Sequence, residues 1–301
     1  MKAPTVAINT ANLMPGHFGT AVWYRFPFKE TMKRHDAMPE PDHSPAPGDT
    51  GEQLPFLAPC RQVPATAPFR WLAAGWRDMK AAPGQSLGWG LLVLALSWLV
   101  SLFALWLGSW FVLLSLLSGF VFLGPLLAIA LYAVSWQLEL GRVPTFDRSL
   151  DAARTRLGDS MVFALILLVI FLVWARAGSM VHVFFPVESR PELRQLLAFF
   201  AIGSAVGSIF AAIAFAASAF SLPMLMDRKV DTVTAVITSI NATLRNKPAM
   251  AVWLALIVVL TGIGFATAFV GLAVLFPLLG HATWHAYRDV VDASAWPAHT
   301  S

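Results

Sequence analysis

Between Leu87 and Leu138 the chain runs for 52 residues without one Asp, Glu, Lys or Arg. A helix needs about 20 apolar residues to cross the ~30 Å hydrocarbon core of a bilayer, so this run is too long for one span. Within lipid every backbone amide and carbonyl must find its partner internally, which leaves helices or closed barrels. "LGSW" (Leu107–Trp110) is the natural break, giving two spans and a tight turn. A third span is expected from Met161 to about Val181 and a fourth from Leu196 to Met226. A last run, Ala249–Arg288, is expected to break at Gly262–Gly264 into spans five and six. Only 13% of residues are charged, against roughly a quarter in a soluble domain. The fold class is therefore all-α, a polytopic membrane bundle.

Each pair of spans follows an amphipathic segment. The first, "FRWLAAGWRDMKAAPGQS", carries Trp71, Leu72, Gly75, Trp76 and Met79 at helical spacing. The second carries Leu150, Ala153 and Leu157, with Asp147 as the expected helix cap. The third carries Val233, Val236, Ile237, Ile240 and Leu244. Each ends in a basic residue followed three positions on by a helix-start residue: Lys80–Pro83, Arg156–Asp159 and Arg245–Pro248. Proline suits a first helical turn because its missing amide has no partner there. Pro125, Pro223 and Pro277 recur in the even spans and are expected to kink them. The architecture predicted is three hairpins, each preceded by an interfacial helix.

Residues 1–67 form an expected disordered tail, since 11 of the 20 prolines fall in the first 68 residues. Its aromatic patch, Ala21–Phe28, reads as chance aromatics in that tail. The membrane domain is placed at 68–292 and a short tail at 293–301. The opening "MKAPTVAINTANLMPGHF" lacks the pattern of a signal peptide. Eighteen Lys and Arg fall on one side of the expected topology and two, Arg190 and Arg194, on the other. Cytoplasmic loops hold the positive excess, so both termini are expected in the cytoplasm. No nucleic-acid partner follows from the net charge of +4. Cys60, the single cysteine, excludes an internal disulfide and a thiolate cluster and reads as an ordinary cytosolic thiol.

The residues that invite chemistry are His281 and His285, four apart in "FPLLGHATWHAYRDVV". Two histidines on one helix face cannot ligate opposite sides of a haem. Zinc needs three or four ligands, and Glu139 is the conceivable third. His182 lies toward the other membrane face. Expected cofactors and metals are accordingly none, with His281, His285 and Glu139 the only candidates. Trp284, His285, Tyr287 and Arg288 are instead expected as interface anchors, with His281 about a turn inside. Arg176, the one arginine inside an apolar run, is expected near the outer boundary, turned toward Glu188 or Glu192. Gly203, Gly207 and Ala211 recur every four residues and are expected to pack helices closely, internally or between copies. The other spans lack central charges, which disfavours an ion-coupled transporter. No hydrolase, kinase or phosphate-loop motif is present.

From "FRWLAAGWRDMKAAPGQSLGWG" through "SLPMLMDRKVDTVTAVITSINATLRNKP" to "PLLGHATWHAYRDVV", the chain resembles an uncharacterised bacterial family of six-span integral membrane proteins. The resemblance covers about residues 60–292 and implies a location and an architecture but no reaction. Some relatives carry the label of putative cytochrome c oxidase subunit. The catalytic oxidase subunit needs six histidine ligands, whereas this membrane region holds three histidines.

The expected role is a non-enzymatic accessory, scaffold or assembly protein of the bacterial inner membrane. Its expected partners are the lipid bilayer, another membrane protein or a second copy. A passive channel or uncoupled carrier, and a haem-associated respiratory accessory protein, are the alternatives.

Overall fold

The computed structural model describes residues 55–107, 110–184 and 192–299, and side chains within 55–106, 123–180 and 192–299. The expected tail up to residue 54, part of the "LGSW" turn, the side chain of His182, and Glu188 and Arg190 lie outside the described residues. The chain divides into two units, Met1–Glu52 and Gln53–Ser301, and the fold is that of the second.

Short helices separate pairs of longer ones among the described residues: α1 (Ala67–Ala81), α2 (Pro83–Leu107), α3 (Trp110–Glu139), α4 (Phe146–Thr155), α5 (Leu157–Phe184), α6 (Leu193–Ser218), α7 (Ser221–Asp227), α8 (Thr232–Arg245), α9 (Lys247–Ala266) and α10 (Leu272–Val290). Four helical stretches are long and apolar enough to cross a membrane: Pro83–Trp106, Leu157–Met180, Leu193–Asp227 and Lys247–Ala266. Leu123–Glu139, within α3, is a shorter apolar helix.

The three elbows form where the sequence places them. α2 begins on Pro83, α5 follows Arg156 and carries Asp159 in its first turn, and α9 has Pro248 in its own. α8 is capped by Asp231, whose carboxylate accepts from the Thr234 amide at 2.9 Å. α4 departs from expectation: Thr145 is the cap, accepting from the Arg148 amide at 3.5 Å, and Asp147 sits in the first turn. The chain is still extended at Thr145 (φ −129°, ψ 149°), so helix begins one residue before Asp147.

Each elbow helix turns some of its apolar side chains outward. α1 buries Trp71, Ala74, Gly75 and Met79 and exposes Phe69 and Trp76. α4 exposes Phe146 and Leu150. α8 buries Thr234, Ala235, Thr238, Ser239 and Ala242, leaving Val233, Ile240 and Leu244 outside. Outward apolar ridges beside polar faces suit helices lying in a membrane interface.

The core gathers round α10, which packs against α1, α2, α3, α7 and α9. Three glycines let these helices approach. A Cβ on Gly75 would stand 2.7 Å from the Ala282 amide, one on Gly280 would stand 2.9 Å from Leu131, and one on Gly90 would overlap the Ala273 carbonyl.

The expected packing stripe makes no close helix approach among the described residues. Among the described residues a Cβ on Gly203 would meet nothing within 4 Å, and Gly207 has only the Trp174 indole nearby, at 3.7 Å. Gly207 and Ala211 floor an open groove of about 550 Å³ with walls from α5 and α6, including Phe163, Trp174 and Phe210. Small residues at this spacing permit a close helix approach without requiring one, and bulky α5 side chains hold the neighbour away.

Two boundaries shift. The fourth apolar run breaks after Ser218, because Pro223 has no amide for the Ala219 carbonyl and the Phe220 amide turns to Ser239 Oγ at 3.0 Å. α9 continues past "GIG" to Ala266. Reversal falls at 267–271, where Ala268 and Phe269 take positive φ and Thr267 Oγ1 accepts from the Gly271 amide at 2.8 Å. Gly264 instead makes room for Leu272.

The described parts of both expected tails are folded. The Ala58 amide donates to Thr238 Oγ1 at 3.2 Å and the Val63 amide to Asn246 Oδ1 at 2.9 Å. Antiparallel bridges join Cys60 to Val291 and Arg228 to Ala298, and Trp296 is buried. The sequence looks tail-like because its backbone groups are satisfied by distant backbone and side chains rather than by a local element.

Candidate functional site

The last two turns of α10 carry the motif that first invited a metal, and each polar residue there reaches a different neighbour. His281 is fully buried. Its Nε2 lies 2.9 Å from Ser86 Oγ on α2 and its Nδ1 lies 2.8 Å from Ser135 Oγ on α3. A neutral imidazole donates through one ring nitrogen and accepts through the other, so both serines are satisfied and no lone pair remains for a metal. One turn on, His285 Nε2 pairs with Asp78 of α1 at 2.8 Å.

Trp284 Nε1 donates to Glu139 Oε2 at 3.0 Å, and Arg288 Nη2 donates to Glu139 Oε1 at 2.7 Å. Tyr287 Oη donates to Asp227 Oδ2 at 2.8 Å, which also accepts from Arg228 Nε at 3.0 Å and from Arg288 Nη1 at 3.5 Å. The Arg288 guanidinium lies 6.0 Å from the Trp284 ring centre. At the end of the helix Asp289 accepts from Trp71 Nε1 at 2.9 Å and pairs with Arg70 at 3.3 Å.

The three metal candidates are thus drawn to three separate sets of partners: His281 to serines, His285 to Asp78, and Glu139 to Trp284 and Arg288. Among the described residues, no three His, Cys, Asp or Glu side chains gather as a metal would require. The expected anchors differ in part. Trp284 and Tyr287 are fully buried in protein, so neither meets headgroups as an interfacial ring would. Their amphipathic rings find polar partners on α3 and α7 instead. His285 and Arg288 remain partly exposed, at 31% and 41% of their side chains. Arg176 is exposed on α5.

Sequence reasoning missed the partners. Asp78, Glu139 and Asp227 stand near the ends of α1, α3 and α7, and all three face α10. The available signal was position: each is an acid beside the boundary of an apolar run. Ser86 and Ser135 carried no such signal, being ordinary residues of apolar helices.

The arrangement can lock helices together; the contacts described are all internal to the chain. A family model described as "Predicted integral membrane protein (DUF2189)" matches residues 112–227. No curated protein and no solved structure matches the chain. The chain is an integral membrane protein with several apolar helices, similar over those residues to a family of unknown function.

Proposed function

We propose that the protein is a six-span scaffold of the bacterial inner membrane with both termini in the cytoplasm. It works as a non-enzymatic accessory or assembly partner of another membrane protein. One observation carries this reading: the polar groups at the end of α10 are held by α1, α2, α3 and α7. Such a site fixes a shape rather than presenting reactive groups. The outward apolar ridges of α1, α4 and α8 support an interfacial position for the elbows. The excess of Lys and Arg on the segments around those elbows supports placing that face in the cytoplasm.

The test has two arms. Reporter fusions placed after Trp296 and within residues 140–145 should both read as cytoplasmic, and a periplasmic reading at either would reject the topology. Crosslinking in native membranes should then capture a defined membrane protein in constant proportion. Turnover of a lipid by the purified chain, or a stoichiometric haem or metal, would reject the scaffold reading.

A further inference from the structure

The C-terminal end of α3, the loop after it, α4 and the C-terminal segment enclose a pocket of about 650 Å³ walled by Trp136, Arg142, Arg148, Asp151, Arg156 and His299. Small-molecule sites commonly span roughly 300–1,000 Å³. Arg156, at the α4–α5 junction, is only 9% exposed. Its Nη1 donates to the Ala152 carbonyl at 3.0 Å and to Thr155 Oγ1 at 3.2 Å. Its Nε is buried without a partner, and none of the ion pairs among the described residues includes it.

A buried guanidinium without a paired anion is costly, and burial pulls the Arg156 pKa below its ordinary value while Asp159 and Asp227 oppose from further away. The natural occupant is an anion with several acceptor oxygens, because the guanidinium fork matches phosphate geometry. Arg142 and Arg148 add positive charge to the same walls, and Arg142 lies 6.0 Å from the Trp136 ring centre. Among the residues that wall the pocket the carboxylate is Asp151, which is 69% exposed and 4.0 Å from Arg154. His299 closes one side, its Nε2 held 2.9 Å from the Arg228 carbonyl. The outward Phe146 and Leu150 of α4 set this pocket at the level where apolar core meets headgroups. Basic pockets at that level take anionic lipid headgroups.

We propose that this pocket is a phosphate site, filled by the headgroup of an anionic phospholipid. The proposal rests on the membrane embedding of the chain; only the leaflet that supplies the lipid depends on the topology proposed above.

The full chain in neutral detergent would be melted with added phosphatidylglycerol, phosphatidylcholine or inorganic phosphate. Phosphatidylglycerol should raise the melting temperature of the unaltered protein, with phosphatidylcholine giving little. Arg156→Gln and Arg148→Gln should lose most of that rise. Arg154→Gln, the same charge loss on the same helix but outside the pocket, should keep it. Should Arg156→Gln fail to fold, Arg148→Gln, altered at an exposed side chain, decides alone. An equal rise in all three variants would overturn the pocket. A rise from inorganic phosphate with none from the lipid would overturn the lipid assignment. These outcomes are independent of the reporter fusions, so either reading can fail alone.

Discussion

Tyr287 and Asp227 meet at 2.8 Å across 60 residues of sequence, joining the last helix to the short helix that follows α6. Arg288 reaches the same carboxylate oxygen at 3.5 Å, so α10 grips Asp227 from two successive positions. Removing the phenol hydroxyl leaves Asp227 with Arg228 and Arg288, whereas removing the carboxylate strands the buried phenol and takes one partner from each arginine. Tyr287→Phe should therefore cost about 1.5–3 kcal/mol, the worth of a hydrogen bond to a charged group. Asp227→Ala should cost more, about 3–5 kcal/mol. Denaturant unfolding in detergent micelles would compare them, and equal losses would contradict this ordering.

His281 fills the space between α2 and α3 and satisfies a hydroxyl on each. His281→Ala opens a cavity and leaves Ser86 and Ser135 unpaired. The combined cost should be about 2–5 kcal/mol. Thermal melting and metal analysis of both proteins separate the structural role from a ligating one. The melting temperature should fall while metal content stays the same, and a metal lost with the histidine would reverse the assignment.

What could be read from the sequence was local. Pro83, Asp159 and Pro248 start helices through their own chemistry, so the elbows fell where expected. The network at α10 was hidden because its partners are remote: Glu139 and Trp284 are 145 residues apart, and Asp78 and His285 are 207 apart. Residue type did not help, since a tryptophan near a helix end suits a headgroup belt or a buried hydrogen bond equally. Arg156 was visible as an elbow residue, but its unpartnered Nε depends on how α4 meets the C-terminal segment.

His299 offers a pH test of that segment. Burial pushes its imidazole below the ordinary value of 6.5, with the Arg156 charge adding to the effect and its hydrogen bond to the Arg228 carbonyl opposing. A depressed folded pKa means that the unfolded chain binds the proton more readily. The stabilisation is present above about pH 6.5 and is lost as pH falls through the lower, folded value. The protection of amides at residues 291–299, corrected for their slower intrinsic exchange at lower pH, should therefore fall between pH 7.5 and 5.5. His299→Gln should remove that fall, and an undiminished effect would assign it elsewhere.

Asp231 titrates with the same sign at lower pH. Burial raises its carboxyl, but the Thr234 hydroxyl and amide and the neighbouring amides outweigh that and hold it below 3.8. The cap is thus present above about pH 4 and is lost as pH falls through the depressed value. Asp231→Asn keeps an acceptor without the charge. Helix content of the variant should change less between pH 5 and pH 3 than that of the unaltered chain. Circular dichroism at matched detergent would read the difference, and parallel curves would deny the cap its role.

Two glycine substitutions with the same chemistry should have opposite consequences. A methyl on Gly90 would enter the Ala273 carbonyl of α10 and press on Pro277, where backbone cannot yield cheaply. Gly90→Ala should cost about 1–3 kcal/mol or more through overpacking, seen as a lower melting temperature or poor recovery of folded protein. A methyl on Gly203 would meet none of the described residues within 4 Å, although this glycine opens the small-residue stripe of α6. Gly203→Ala should therefore be neutral, or gain up to about 1 kcal/mol from the better helix propensity of alanine. If Gly203→Ala destabilised the chain as strongly as Gly90→Ala, α6 would have to meet another helix closely at that position. A second copy is then the simplest source, and the loss should deepen as the protein is diluted.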